Sequence, residues 1–209
     1  MSYYQRRHWS WHHPELRARL NRLKLPTVAP LDLANIVLHL RLDPGAENGP
    51  EAPLLESMLA SAIGHLERYC SAAIMAQEWR LTLHEFPPHY QGLELPLPPF
   101  DELLAVGTAA GPIPATDFIV EPDDRFPAVL YPVSQFWPQV ERGPLAISID
   151  YRCGRDTADE VPGDIKQALL LAIAAWYENR EELSQFTLTP MIELGWQPLL
   201  GPYRQEGFA

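Results

Sequence analysis

The chain has 209 residues, 46 % of them hydrophobic, with 22 prolines and a formal net charge of −11. That is enough apolar surface for one packed domain with arms, and no apolar run reaches the roughly 20 residues that span a membrane. The charge is split: Arg6, Arg7, Arg17, Arg19, Arg22 and Lys24 against Glu15 give residues 1–24 a charge of +5, which leaves −16 on residues 25–209. Such a body repels a phosphate backbone, so any DNA contact falls to the basic arm, which equally suits an acidic partner.

Residues 1–13 mix Arg, His, Tyr and Trp without clean periodicity. Pro14 suits the first turn of a short helix over about residues 15–24, with Leu16, Leu20 and Leu23 on one stripe. A second helix over residues 32–42 presents Leu33, Ile36, Val37 and Leu40. Residues 43–53 read as a loop by composition. Residues 54–73 form the first strong helix, since Leu55, Met58, Leu59, Ala62, Ile63, Leu66, Tyr69 and Cys70 recur at three- and four-residue spacing.

The pattern then changes to period two. Trp79, Leu81 and Leu83 alternate with polar residues, and Leu93, Leu95 and Leu97 repeat the pattern between prolines. Residues 103–106, 118–120 and 129–131 are weaker strands. Leu145, Ile147, Ile149 and Tyr151 make a clear last one. Short strands with proline edges suit a small antiparallel sheet. A helix over residues 163–183 follows, with Asp164 in its first turn and Ile165, Leu169, Ala172, Ile173 and Trp176 on its buried face. From Ser184 onward the chain is expected to be extended and apolar in patches: Phe186, Leu188, Met191, Ile192, Leu194, Trp196, Leu199, Leu200, Tyr203.

No catalytic set stands out. The chain lacks the phosphate-binding, dinucleotide-binding, zinc-protease and nucleophile-elbow motifs, so no enzyme activity and no cofactor is expected. His8 and His12 have metal-ligand spacing, and His13 adjoins them, but no thiol or carboxylate lies close by in sequence. Asp123–Asp124 and Glu181–Glu182 read as a turn and a solvated helix end. Cys70 and Cys153 read as two buried thiols. With no signal-peptide pattern at the N-terminus, synthesis in the cytoplasm is expected.

Two segments suit contact with a partner. Arg6, Arg7, Trp9 and Trp11 combine charge with stacking surfaces, which serves either a partner protein or DNA. At the other end Trp196, Leu199, Leu200 and Tyr203 are spaced by Pro198, Gly201 and Pro202. Proline lowers the entropy lost on docking while the large side chains fill pockets. The same segment would also satisfy its apolar side chains by folding back on its own domain.

Taken in order, several pieces resemble the head–tail connector (adaptor, or head-completion) proteins of long-tailed bacteriophages and phage-derived particles such as gene transfer agents. The pieces are HLRLD (39–43), LLESMLASAIGHLERYCSAAI leading into QEWRLTLHEFP (54–87), ELPLPPF (94–100), IDYRCG (149–154), VPGDIKQALLLAIAAWYENRE (161–181) and LLGPYR (199–204). The resemblance covers about residues 31–204. It implies an α+β, mainly helical fold: a small helical bundle with a short antiparallel β element and extended N- and C-terminal arms. The expected organisation is a basic arm (1–24), a connector core (25–183) and a docking tail (184–209).

The resemblance further implies a structural virion protein. Copies would form a ring, typically twelvefold, under the portal protein in the neck of the particle. The ring would continue the DNA channel and offer a surface to a stopper or tail-completion protein. Trp196, Pro198, Leu199, Leu200, Pro202, Tyr203 and Arg204 match the segment with which such proteins embrace the portal. Residues 1–24 lie outside the resemblance. The competing readings are a stopper or tail-completion protein of the same neck, and a DNA-binding packaging or regulatory protein.

Overall fold

The computed structural model describes residues 8–9, 16–88, 91–178 and 190–205. The chain divides into two units, each made of two separate stretches: residues 1–27 with 76–155, and residues 28–75 with 156–209.

The first unit is all β. Its strands are β1 (His8–Trp9), β2 (Arg19–Lys24), β3 (Gln77–Leu83), β4 (Gly92–Leu95), β5 (Phe100–Thr108), β6 (Gly111–Ile113), β7 (Phe118–Glu121), β8 (Ala128–Pro132) and β9 (Ile147–Cys153). They form a five-stranded sheet, order β2-β3-β9-β5-β6, and a four-stranded sheet, order β1-β4-β8-β7. Every pairing is antiparallel except that of β1 with β4.

The period-two pattern of β9 becomes its burial. Ile147, Ile149, Tyr151 and Cys153 face the core while the residues between them are partly exposed. Leu83 and Leu81 of β3 lie opposite Ile147 and Ile149. The fully buried Tyr151 keeps its hydroxyl satisfied by donating to the Pro96 carbonyl at 2.8 Å. Trp137 stacks on Phe86 at 4.6 Å and donates its Nε1–H to the Gln91 carbonyl at 2.9 Å.

The second unit is helical, with α1 (Leu33–Leu40), α2 (Ala52–Cys70), α3 (Gly163–Glu178) and α4 (Pro190–Leu200). Ile36, Leu55, Leu66, Leu169, Ile173 and Leu200 lie in its core. Arg41 (φ 55°) and Ser71 (φ 52°) adopt the left-handed conformation that stops α1 and α2. Glu67, buried in the last turn of α2, accepts the backbone N–H of Ile74 at 3.0 Å and so orders the exit from the helix.

The mainly helical bundle expected from the sequence is therefore corrected: a helical unit is joined to an all-β unit with two sheets. Six of the strands, β3, β4, β5, β7, β8 and β9, were expected; the mainly helical weighting came from the resemblance, and β1, β2 and β6 were not expected. β5 shifts register against β9 between Phe100 and Glu102 and again between Leu103 and Ala105, which erases the alternation. The expected helix over 15–24 is corrected too, since residues 19–24 form β2 on the edge of β3. Leucines at four-residue spacing fit a helix, but pairing with β3 overrides that local preference. Leu97 (φ 65°) lies just past the end of β4 and Leu145 (φ 57°) just ahead of the start of β9, so the alternation expected through them is cut short at one end of each strand.

The extended C-terminal arm is the last correction. Residues 190–200 are α4, followed by a 3-10 turn over 201–203. Residues 179–189, which hold the expected end of α3 and Glu181–Glu182, lie outside the described residues.

Candidate functional site

The C-terminal segment is held by its own unit. Trp196 is 3 % exposed and Leu200 fully buried. Their i, i+4 spacing puts both on one face of α4, which packs against α3. The Trp196 ring meets His65 edge-on at 5.3 Å and Tyr69 at 5.0 Å, both from α2. Arg204 lies over the Tyr69 ring at 4.9 Å. Of the seven residues expected to touch a partner, Trp196 and Leu200 are thus internal anchors. Leu199 and Tyr203 are half-buried, and Pro198, Pro202 and Arg204 are exposed. The helical signal was in the sequence: Ile192, Trp196, Leu199 and Leu200 have helical spacing.

Burial acts on the thiol beneath this segment. Loss of water raises the Cys70 pKa from 9.0 to about 12, with the Arg204 charge pulling the other way. Cys70 and Cys153 are both buried free thiols.

Of the basic arm, Arg6, Arg7, Trp11, His12 and His13 lie outside the described residues, and Trp9 is described only by its backbone in β1. Residues 8 and 9 pair in parallel with Gly92 and Leu93. Gly92 has a steric reason to be glycine, because a Cβ there would overlap the side chains of Val129 and Tyr131. Further along, Arg22 lies over the Trp79 ring at 4.7 Å and Lys24 pairs with Glu78 at 3.0 Å.

The outer face of the five-stranded sheet is a field of matched charges. Arg80 on β3 holds Asp150 on β9 through two hydrogen bonds of 2.6 and 2.7 Å. Arg152 pairs with Asp101. These two pairs offset their own charges on that face.

The hairpin of β7 and β8 has a different surface, which the sequence reading passed over. Asp117, Ile119 and Glu121 share one face with Tyr131 and Val133. Ile119 is 57 % and Val133 52 % exposed. β7 ends its sheet, so among the described residues no strand pairs with its outer edge. At the hairpin tip Asp123 accepts the backbone N–H groups of Arg125 (2.7 Å) and Phe126 (2.9 Å), which fixes the loop that carries Phe126, 62 % exposed. The acid–apolar–acid alternation of Asp117, Ile119 and Glu121 was the signal available. Among the described residues, no three His, Cys, Asp or Glu side chains gather as a metal site, and no helix is long and apolar enough to cross a membrane.

No protein-family model and no curated protein matches the chain. Solved structures do. A chain in the neck of an empty gene transfer agent particle, computed with C6 symmetry, is 28 % identical, with a TM-score of 0.73 over 90 % of this chain and 95 % of that one. A chain in the virion of a native gene transfer agent particle is 25 % identical, with a TM-score of 0.68 over 91 % and 99 %. A third, in the neck of a native particle computed with C12 symmetry, is 24 % identical, with a TM-score of 0.63 over 88 % and 95 %, and shares the fold. These matches support a structural neck protein of a phage-like particle.

Proposed function

We propose that this chain is a head–tail connector, or adaptor, subunit. Copies form a ring under the portal, extend the DNA channel and receive the next neck protein. The observation that carries the proposal is the match along nearly the whole of both chains to a neck protein of a gene transfer agent. A twelvefold ring is compatible with the C6 symmetry of that structure, because twelvefold symmetry contains a sixfold axis. The −16 charge of residues 25–209 suits a channel wall along which DNA slides without sticking.

Under this reading, the portal contact is made by the exposed Pro198, Pro202 and Arg204 with the half-buried Leu199 and Tyr203, while Trp196 and Leu200 hold the segment in shape. Electron microscopy of the protein mixed with its portal, beside light scattering of the protein alone, tests the role. A closed ring stacked on the portal is expected. A chain that ignores the portal but binds a preformed portal–ring assembly would make it a stopper instead. Salt-sensitive DNA binding without portal binding would point to packaging or regulation.

A further inference from the structure

We infer that the outer edge of β7 seats an extended strand of the next neck protein, and that this strand carries a basic, an apolar and a basic side chain at alternate positions. The identity of the partner rests on the connector reading above. The chemistry of the seat stands on the hairpin alone.

The backbone of the hairpin is set for a further strand. The Val133 N–H donates to the Asp117 carbonyl at 2.9 Å, and Pro132, which has no N–H, stands opposite Phe118. Hydrogen-bonded pairs alternate along an antiparallel ladder. Asp117, Ile119 and Glu121 are therefore the positions turned toward β8, and the N–H and C=O groups of Phe118 and Val120 point away from it. Among the described residues no strand takes them up, and an edge of this kind accepts an added strand.

The side chains specify what fits. Asp117, Ile119 and Glu121 alternate along one face, all three exposed, Ile119 by 57 %. An added strand meets them at its non-hydrogen-bonded positions, where facing side chains come closest. Ile119 calls for an apolar residue, and the carboxylates call for Lys or Arg two positions to either side. That order reads the same in both strand directions. This chain does not contain it, because no two of its 16 Lys and Arg residues stand four apart. The occupant is thus a different protein and not a second copy. The portal contact is assigned above to the helical unit, which leaves the β unit for the protein that attaches next.

Two measurements test this. In the first, NMR follows the isotope-labelled full-length chain at low salt as short threonine peptides are added. Each peptide has a central Ile flanked, two positions away on both sides, by Lys in one and by Glu in the other. The Lys peptide is expected to shift the amide signals of residues 117–121 and to bind about tenfold tighter than the Glu peptide. In Asp117→Lys with Glu121→Lys the preference is expected to reverse. Val120→Pro removes an outward N–H but no bond to β8, and is expected to abolish binding of both. If neither peptide binds, the two acids only protect the edge from other strands, and the inference is overturned. Binding that ignores the charge swap or the proline overturns it too. Circular dichroism melting checks that the variants fold as the wild type does.

The second measurement is electron microscopy of necks assembled on the portal. The Asp117→Lys, Glu121→Lys chain is expected to form its ring but to lack the next neck protein. A variant neck that carries that protein as the wild type does, or a variant that alone fails to close its ring, overturns the seat and leaves the connector reading standing. A wild type that forms no ring overturns the connector reading instead, and the peptide titration then decides the seat by itself.

Discussion

The backbone N–H of Gln205 donates to the carbonyl oxygen of Cys70 at 3.1 Å. The acceptor closes α2, and the donor follows the last turn of the chain's C-terminal segment. Together with Arg204 over Tyr69 and Trp196 against His65 and Tyr69, this bond makes the segment part of the helical unit's core. A tail that docks only on a partner would leave those groups to water.

That arrangement has a direct consequence for stability. Trp196→Ala empties a buried aromatic site and is expected to cost about 3–5 kcal/mol in chemical denaturation of the isolated protein. Pro202→Ala, at an exposed position, is expected to stay within about 0.5 kcal/mol. If Trp196→Ala is as mild as Pro202→Ala, the segment is not held by its own unit.

The Cys70 thiol gives a pH signature. Its pKa is raised by burial from 9.0 to about 12, so the unfolded chain loses this proton at a lower pH than the folded one. The unfolded state then binds fewer protons, and stability falls as pH rises. The contribution is fully present below about 9 and fades through about 12. The fully buried Tyr151, also raised by burial, acts in the same direction from about 10 upward. Denaturation midpoints measured from pH 8 upward are expected to decline, and Cys70→Ala to decline less steeply. Equal slopes would remove Cys70 as a cause.

Legibility in the sequence followed the regularity of each element. α2, β3 and β9 repeat cleanly and were read to within three residues at each end. β5 is the longest strand of its unit, yet its two register shifts left only a weak signal. β2 was mistaken for a helix because Leu16, Leu20 and Leu23 recur at four- and three-residue spacing, and pairing with β3 overrides that pattern. At the C-terminus the prolines argued for extension, yet Pro198 lies inside α4. The N–H that proline lacks near a helix end costs less than burial of Trp196 and Leu200 returns. The C-terminal residues were thus singled out in sequence, but their division into internal anchors and exposed positions needed the packing.

The outer face of the five-stranded sheet allows a test of how far paired surface charge contributes. The guanidinium of Arg80 grips both oxygens of Asp150, a geometry that lysine cannot reproduce. A double-mutant cycle with Arg80→Ala and Asp150→Ala is expected to return a coupling of about 0.5–1 kcal/mol at low salt, smaller in 1 M salt. Arg80→Lys is expected to lose much of it. A coupling that ignores salt would show that the pair acts through packing and not through charge.

Two glycines separate steric need from conformational freedom. A Cβ at Gly92 would meet Tyr131 Cε1 at 2.5 Å and overlap Val129, at the position that pairs with His8 of β1. Both neighbours sit on β8, whose strand is fixed by β4 and β7 on either side. Gly92→Ala is therefore expected to destabilise by about 1–3 kcal/mol, the range for overpacking. Gly163, by contrast, opens α3 with nothing within 4 Å of an added Cβ. Gly163→Ala is expected to be neutral or to stabilise by up to about 1 kcal/mol, because alanine narrows the unfolded ensemble. Thermal unfolding of the two variants side by side checks both signs. If Gly92→Ala melts with the wild type, Val129 and Tyr131 swing aside without cost, and the close approach of β4 to β8 is not what requires glycine there.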